Sequence, residues 1–152
     1  MIRSRVWLVG LFALLAGCGR GEGWLDHQGN THTREDLEGR WAVVNYWAEW
    51  CAPCREELPE LNELAQGRPD VKVIGINFDG LEGETLRRLS DDMGIAFPVL
   101  GQDFAEAFAL PRPPVLPTTY LIDAEGRLAM TLQGPQSKSQ LIAALEQEPS
   151  NE

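Results

Sequence analysis

The 152-residue chain has few of the residues that build metal centres, nucleic-acid surfaces or membrane spans. It holds three cysteines and two histidines, and its thirteen basic residues stand against twenty-three acidic ones, a net charge of −10. A surface with that sign argues against nucleic-acid partners and against attraction to anionic lipid headgroups. The longest apolar run, Val6–Ala16, covers eleven residues, short of the ~20 needed to cross a bilayer. His27 and His32, with Cys18, are the only ligands that could complete a zinc site begun by the other two cysteines. None lies at the usual spacing, so no metal is expected and both histidines read as surface-loop residues. Internal repeats and low-complexity tracts are also missing. The length suits one compact domain with a single core.

What is present is concentrated in Trp50-Cys51-Ala52-Pro53-Cys54. Two cysteines two residues apart can close a small disulfide ring. An apolar run, Trp41–Trp47, precedes the motif, and a helical pattern, Arg55–Leu64, follows it. A strand should run in and a helix should run out, which puts Cys51 at a helix N-terminus. There, unpaired N–H groups and the helix dipole favour a negative charge, and a thiolate is the form of cysteine that attacks disulfides. Pro53 fits the first turn, where its missing N–H costs nothing. A loop this short constrains the unfolded chain little, so the pair reads as redox-active rather than as a staple.

The stretch Val43–Cys54 resembles the active-site strand and loop of thioredoxin. Pro59 matches the helix-kinking proline of that family, and Leu116-Pro117-Thr118-Thr119-Tyr120-Leu121-Ile122-Asp123 is similar to its cis-proline strand. The resemblance implies an α/β, thioredoxin-like fold, a central mixed sheet flanked by helices, and no cofactor. It is nearest to the TlpA/ResA-like thiol–disulfide oxidoreductases, which carry a strand–helix insertion before the cis-proline strand. It further implies that Cys51 and Cys54 form the redox-active disulfide. Cys51, the more exposed, would be the nucleophile and Cys54 the resolving thiol. Pro117 would pack on the disulfide and leave the Leu116 backbone free to pair with an extended substrate, with Thr118 beside it and Trp50 roofing the site; Trp47 reads as core. Asn45 stands where plain thioredoxins have a buried aspartate, and an amide cannot carry a proton. Glu57, one turn beyond Cys54 on nearly the same helix face, is the expected substitute, whereas Glu56, Glu60 and Glu63 read as solvated.

The start of the chain reads as an address. Arg3 and Arg5 precede the apolar run, the shape of a secretory signal. Leu15-Ala16-Gly17-Cys18 resembles the bacterial lipoprotein cleavage box, which implies cleavage before Cys18 and lipid on its thiol. Residues 1–17 are then a lipoprotein signal peptide, 18–30 a tether and edge strand, and 31–152 the thioredoxin-like domain. Such cleavage removes two basic residues and no acidic ones, leaving eleven against twenty-three, a charge of −12. The product would be a monomer, lipid-anchored and facing the periplasm or another extracytoplasmic space.

The remaining pattern supplies the elements. Trp24–His27 reads as an edge strand and Thr33–Leu37 as a turn of helix capped by Thr33. Val71–Phe78 is a second inner strand, Glu82–Met93 a helix, Phe97–Leu100 a short strand and Asp103–Leu110 a helix. Thr118–Ile122 and Leu128–Leu132 form a hairpin across Asp123–Gly126, and Ser137 caps a last helix.

The expected activity is reduction of protein disulfides, with a membrane thiol relay as electron donor. Ala52-Pro53 is closer to the Gly-Pro of reducing thioredoxins than to the Pro-His of strong oxidants. The alternatives are a thiol oxidant and a disulfide-exchange chaperone or binding lipoprotein on the same fold. A copper-delivery protein on this fold wants CxxxC and a distal histidine. A related peroxidase has a lone cysteine in a threonine-led motif. Neither pattern occurs here.

Overall fold

The computed structural model describes residues 23–147; the signal-peptide and Cys18 expectations fall outside them. The element order is β1 (Gly23–Leu25), β2 (Thr31–Thr33), β3 (Trp41–Trp47), α1 (Ala52–Gly67), β4 (Val71–Asn77), α2 (Gly83–Asp92), β5 (Val99–Leu100), α3 (Gln102–Ala107), β6 (Thr118–Ile122), β7 (Leu128–Gln133) and α4 (Lys138–Leu145). The main sheet has the order β5-β4-β3-β6-β7. β3 lies at its centre, parallel to β4 and antiparallel to β6. β3–α1–β4 is thus a parallel crossover unit. β5 and α3 sit between α2 and β6, where the strand–helix insertion is expected.

Alternation along the strands sends side chains to two cores. Val43 and Trp47 of β3, Val73 of β4 and Leu121 of β6 pack with Leu58, Leu61 and Leu64 of α1, Leu86 of α2 and Leu141 of α4. Val44 and Tyr46, Ile74 and Ile76, and Tyr120 and Ile122 pack on the opposite face with Trp24, Phe104 and Phe108. Both faces of β3 are covered, which is why it reads as a nearly continuous apolar run. Gly75 belongs at its place in β4: a Cβ there would meet Trp47 Nε1 at 3.1 Å and Phe97 and Val99 side-chain carbons at 3.2 Å.

Several local expectations are corrected. The N-terminal strand does not join the main sheet. β1 pairs with β2 in a separate two-stranded sheet, so a tether boundary at residue 30 would cut a hairpin. Its apolar residue, Trp24, is buried edge-on against Phe104 at 5.1 Å. His27 is not a surface-loop residue. It is buried, its N–H donates to Val99 O at 2.9 Å, and Val99 N–H donates to its Nδ1 at 3.2 Å. His32 is held by Asp26, Nε2 to Oδ2 2.9 Å. Thr33 ends β2 instead of capping a helix, and the Asp36 carboxylate accepts its N–H at 2.8 Å in a run of turns.

The later segments behave as patterned. Asp123 accepts the N–H groups of Glu125 and Arg127 at 3.0 and 2.9 Å, closing the β6–β7 turn, with Gly126 at φ +80°. Ser137 caps α4, and Gln140 returns the bond to the Ser137 N–H, a reciprocal capping box.

Candidate active site

The site is assembled where β3 ends and α1 begins. Trp47 closes the strand, four residues turn, and α1 starts at Ala52 with Pro53 in its first turn. Cys51 is the N-cap: its Sγ accepts the Cys54 N–H at 3.3 Å, and its carbonyl accepts the Arg55 N–H. The sulfur therefore occupies the place where a helix presents unpaired donors. Cys51 and Cys54 are joined as a disulfide with Cα atoms 5.3 Å apart. The expected order of exposure is present but narrow, 4 % for Cys51 and 1 % for Cys54.

Beneath the disulfide lies a buried polar cluster. Glu57 follows Cys54 by one helical turn and is 1 % exposed, so it is not a solvated helix charge. Asn45 Nδ2 donates to Glu57 Oε2 at 2.9 Å and to Thr119 Oγ1 at 3.0 Å. Gln136 N–H and the Thr119 hydroxyl donate to Glu57 Oε1 at 3.1 and 3.5 Å. Burial pushes the carboxyl up to about 7, against the pull of these donors. A group poised there can give or take a proton near neutral pH. Glu56 is exposed as expected, whereas Glu60 is half-buried and accepts the Lys138 N–H that opens α4, at 2.7 Å.

The rim comes from three loops. Trp50 is 64 % exposed, and its indole N–H donates to both Asp79 carboxylate oxygens at 3.2 and 3.0 Å. The Leu116–Pro117 bond is cis. Among the described residues, the Leu116 main chain makes no backbone hydrogen bond, and its side chain packs between both cores. Thr118 is fully buried and its hydroxyl donates to Val115 O at 2.9 Å, so it fixes the loop ahead of Pro117.

The structure thus joins Cys51 to Cys54 and Asn45 to Glu57 one turn along the same helix, and strand alternation sets the Thr118 side chain on the opposite sheet face, with Tyr46. Sequence reasoning missed Thr119, the Gln136 backbone and Asp79. Thr119 is legible in hindsight from strand alternation: it shares a face with Leu121 and pairs with Asn45 across β3 and β6. The other two arrive on loops, where no periodicity points. Among the described residues, no group of three or more His, Cys, Asp or Glu could hold a metal, and no helix is long and apolar enough to cross a membrane.

Residues 18–131 match the AhpC/TSA family. The thiol-disulfide oxidoreductase ResA of Bacillus thuringiensis (strain Al Hakam) is 31 % identical over 123 residues, covering 76 % of this chain and 68 % of the relative. In structure, the chain is similar to StoA from Bacillus subtilis, with TM-score 0.67 and 21 % identity over 82 % of this chain and 96 % of that one. It is also similar to a thiol:disulfide interchange protein of the thioredoxin family from Chlorobium tepidum TLS, with TM-score 0.68 and 24 % identity over 83 % and 91 %. The fold is thioredoxin-like, with the cysteine pair at the head of its first long helix, and the chain belongs to the AhpC/TSA family.

Proposed function

We propose that the protein is an extracytoplasmic thiol–disulfide oxidoreductase that reduces protein disulfides through Cys51 and Cys54. The observation that carries the reading is the Cys51 sulfur at the α1 N-terminus, accepting the Cys54 N–H and bonded to Cys54 above a buried Glu57. In the reduced protein the Cys51 thiolate attacks one sulfur of a substrate disulfide, and the other substrate sulfur leaves as a thiolate. Cys54 loses its proton to Glu57 and attacks the Cys51 sulfur, so the second substrate thiolate leaves. Two electrons have passed to the substrate and the Cys51–Cys54 disulfide has formed. Both thiols lie on one helical turn, so the second attack is intramolecular and outruns competing thiols.

Each remaining assignment rests on its own residues. Pro117 stands ahead of β6 and offers no N–H, and the Leu116 main chain beside it, without a backbone partner among the described residues, suits strand addition by an extended substrate. Trp50 covers one side of the site. The motif around Cys18 and the basic, apolar segment before it support export and lipid anchoring, residues 1–17 being removed. A membrane thiol relay would return the disulfide to the dithiol, and the protein works as a monomer.

Cys54→Ser tests the reading, because it stops the exchange after the first attack. Incubated with a disulfide-bonded protein, this variant should accumulate a covalent complex that dithiothreitol releases, and turnover should fall by at least about a thousandfold. Absence of the complex would count against Cys51 as nucleophile. Equilibration with glutathione gives the direction: a potential near −270 mV fits a reductant and one near −120 mV an oxidant, the approximate limits for this fold.

A further inference from the structure

The loop between β7 and α4 reaches two parts of the site at once. Gly134 follows the end of β7 at φ +83°, a left-handed conformation that glycine adopts freely. Its N–H donates to Pro117 O at 2.9 Å. Pro135 has no N–H to offer. The Gln136 N–H then donates to Glu57 Oε1 at 3.1 Å, and two residues on the Lys138 N–H donates to Glu60 Oε2 at 2.7 Å. One short loop therefore ties the carbonyl of the cis-proline to the helix that carries the cysteines.

The Gln136 side chain closes that loop on itself. Its amide Nε2 donates to Gly134 O at 3.0 Å and lies 3.5 Å from Gln133 O. Ordering an unbraced loop costs conformational entropy, and the brace removes that cost from the bond to Glu57. Burial pushes the Glu57 carboxyl up to about 7, and of the donors that pull it back the Gln136 N–H counts most. The charged groups on the surrounding helices are engaged elsewhere or exposed. Arg55 donates to Glu49 O, Glu60 accepts the Lys138 N–H, Lys138 Nζ lies 3.6 Å from Glu63, and Glu56 is exposed. β3, β6 and the loop present only the neutral groups of Asn45, Thr119 and Gln136.

We infer that Gln136 is a positioning residue for the resolving step: its side chain braces the loop whose N–H holds Glu57 in the ionised form that takes the Cys54 proton. The inference rests on the oxidoreductase reading above and adds to it the group that sets the pH range of that step. When Cys54 attacks the Cys51 sulfur of the mixed disulfide, its S–H proton passes to Glu57, the Cys51–Cys54 bond forms and the substrate leaves as a thiolate. Only ionised Glu57 can take the proton, so the step slows as pH falls through its titration. A carboxylate that loses a donor holds its proton more tightly, so weakening the brace moves that fall to higher pH. The effect lies inside the protein and should not depend on the size of the substrate.

The test is the lifetime of the mixed disulfide across neutral pH. Reduced protein is mixed rapidly with a disulfide-bonded peptide or with oxidised glutathione, and the reaction is quenched with acid. In the unmutated protein resolution should slow below about pH 7. Gln136→Ala should move that midpoint up by about one pH unit, so that resolution at about pH 6 is roughly tenfold slower, equally for both substrates. Gln136→Glu removes the same donor at nearly the same side-chain size and should move the midpoint at least as far. In a Glu57→Gln background, Gln136→Ala should leave the pH profile unchanged. An unmoved midpoint in both variants, a shift that persists without the Glu57 carboxyl, or a change confined to the peptide would overturn the inference alone. An unmutated protein that passes no electrons to either disulfide would overturn the oxidoreductase reading and this inference with it.

Discussion

The two faces of the central sheet are built by alternate residues of the same strands, yet they bury different chemistry. The α3 face takes Tyr46, Tyr120, Phe104, Phe108 and Trp24. Its two hydroxyls are satisfied at the edges, Tyr46 on Gln102 at 3.3 Å and Tyr120 on Pro111 O at 2.8 Å. The α1 face takes the disulfide, Leu58, Leu61 and Leu64, and in their midst Asn45, Glu57 and Thr119. Asn45 lies between Val44 and Tyr46 in sequence but faces the other way. Burying a carboxyl costs free energy unless donors surround it, and Asn45, Thr119 and Gln136 supply them. One face holds the sheet together, and the other spends part of that stability on a group that can move a proton.

That contrast can be broken from either side. The largest effect should come from Phe104→Ala, which removes a fully buried ring that touches Trp24 and Phe108 with centroids 5.1 and 4.9 Å apart. It should cost about 3–5 kcal/mol in urea unfolding while leaving the glutathione equilibrium of the surviving folded protein unchanged. A shifted equilibrium would mean that the two faces are not separable.

Next comes Glu57→Gln, read as a pH dependence. The Glu57 carboxyl lies near 4.5 when unfolded and about 7 when folded. Between those values the native state binds more protons than the unfolded state, so its contribution to stability is full below 4.5, falls as pH rises, and is spent above 7. The disulfide form should lose on the order of 3 kcal/mol across that window relative to Glu57→Gln. Parallel stability curves for the two proteins would mean that Glu57 is not held as described.

Asn45→Ala should be the mildest, about 1–3 kcal/mol at neutral pH, because it leaves one Glu57 oxygen without its donor. The loss should shrink at pH 5, where the carboxyl is protonated. A loss of equal size at both pH values would point to packing alone.

Much of this site was legible in order along the chain. Cys51 and Cys54, the strand before them and the helix after them follow from local pattern, and so does Glu57, one turn on. The resemblance at Leu116-Pro117 pointed to the peptide bond that is cis in the structure. Only the pairing of β6 with β3 shows that the Thr118 side chain lies on the α3 face, opposite Tyr46. His27 went astray because a lone histidine in a polar turn gives no sign that the turn will close on the β5 edge.

The sequence by itself determined where the chain switches from strand to helix, which sulfur sits at the switch, and which residues alternate into the two cores. Those features depend on neighbours a few positions apart, through backbone periodicity and helix-end chemistry. Only the tertiary structure decided who surrounds Glu57 and what holds Trp50. Asn45 lies 12 residues from Glu57, Thr119 lies 62 and Gln136 lies 79. Trp50 and Asp79 are 29 apart. Hydrogen bonds at those separations carry no local signature. They exist because packing the sheet brings the ends of separate loops within about 3 Å, the range over which a donor finds its acceptor.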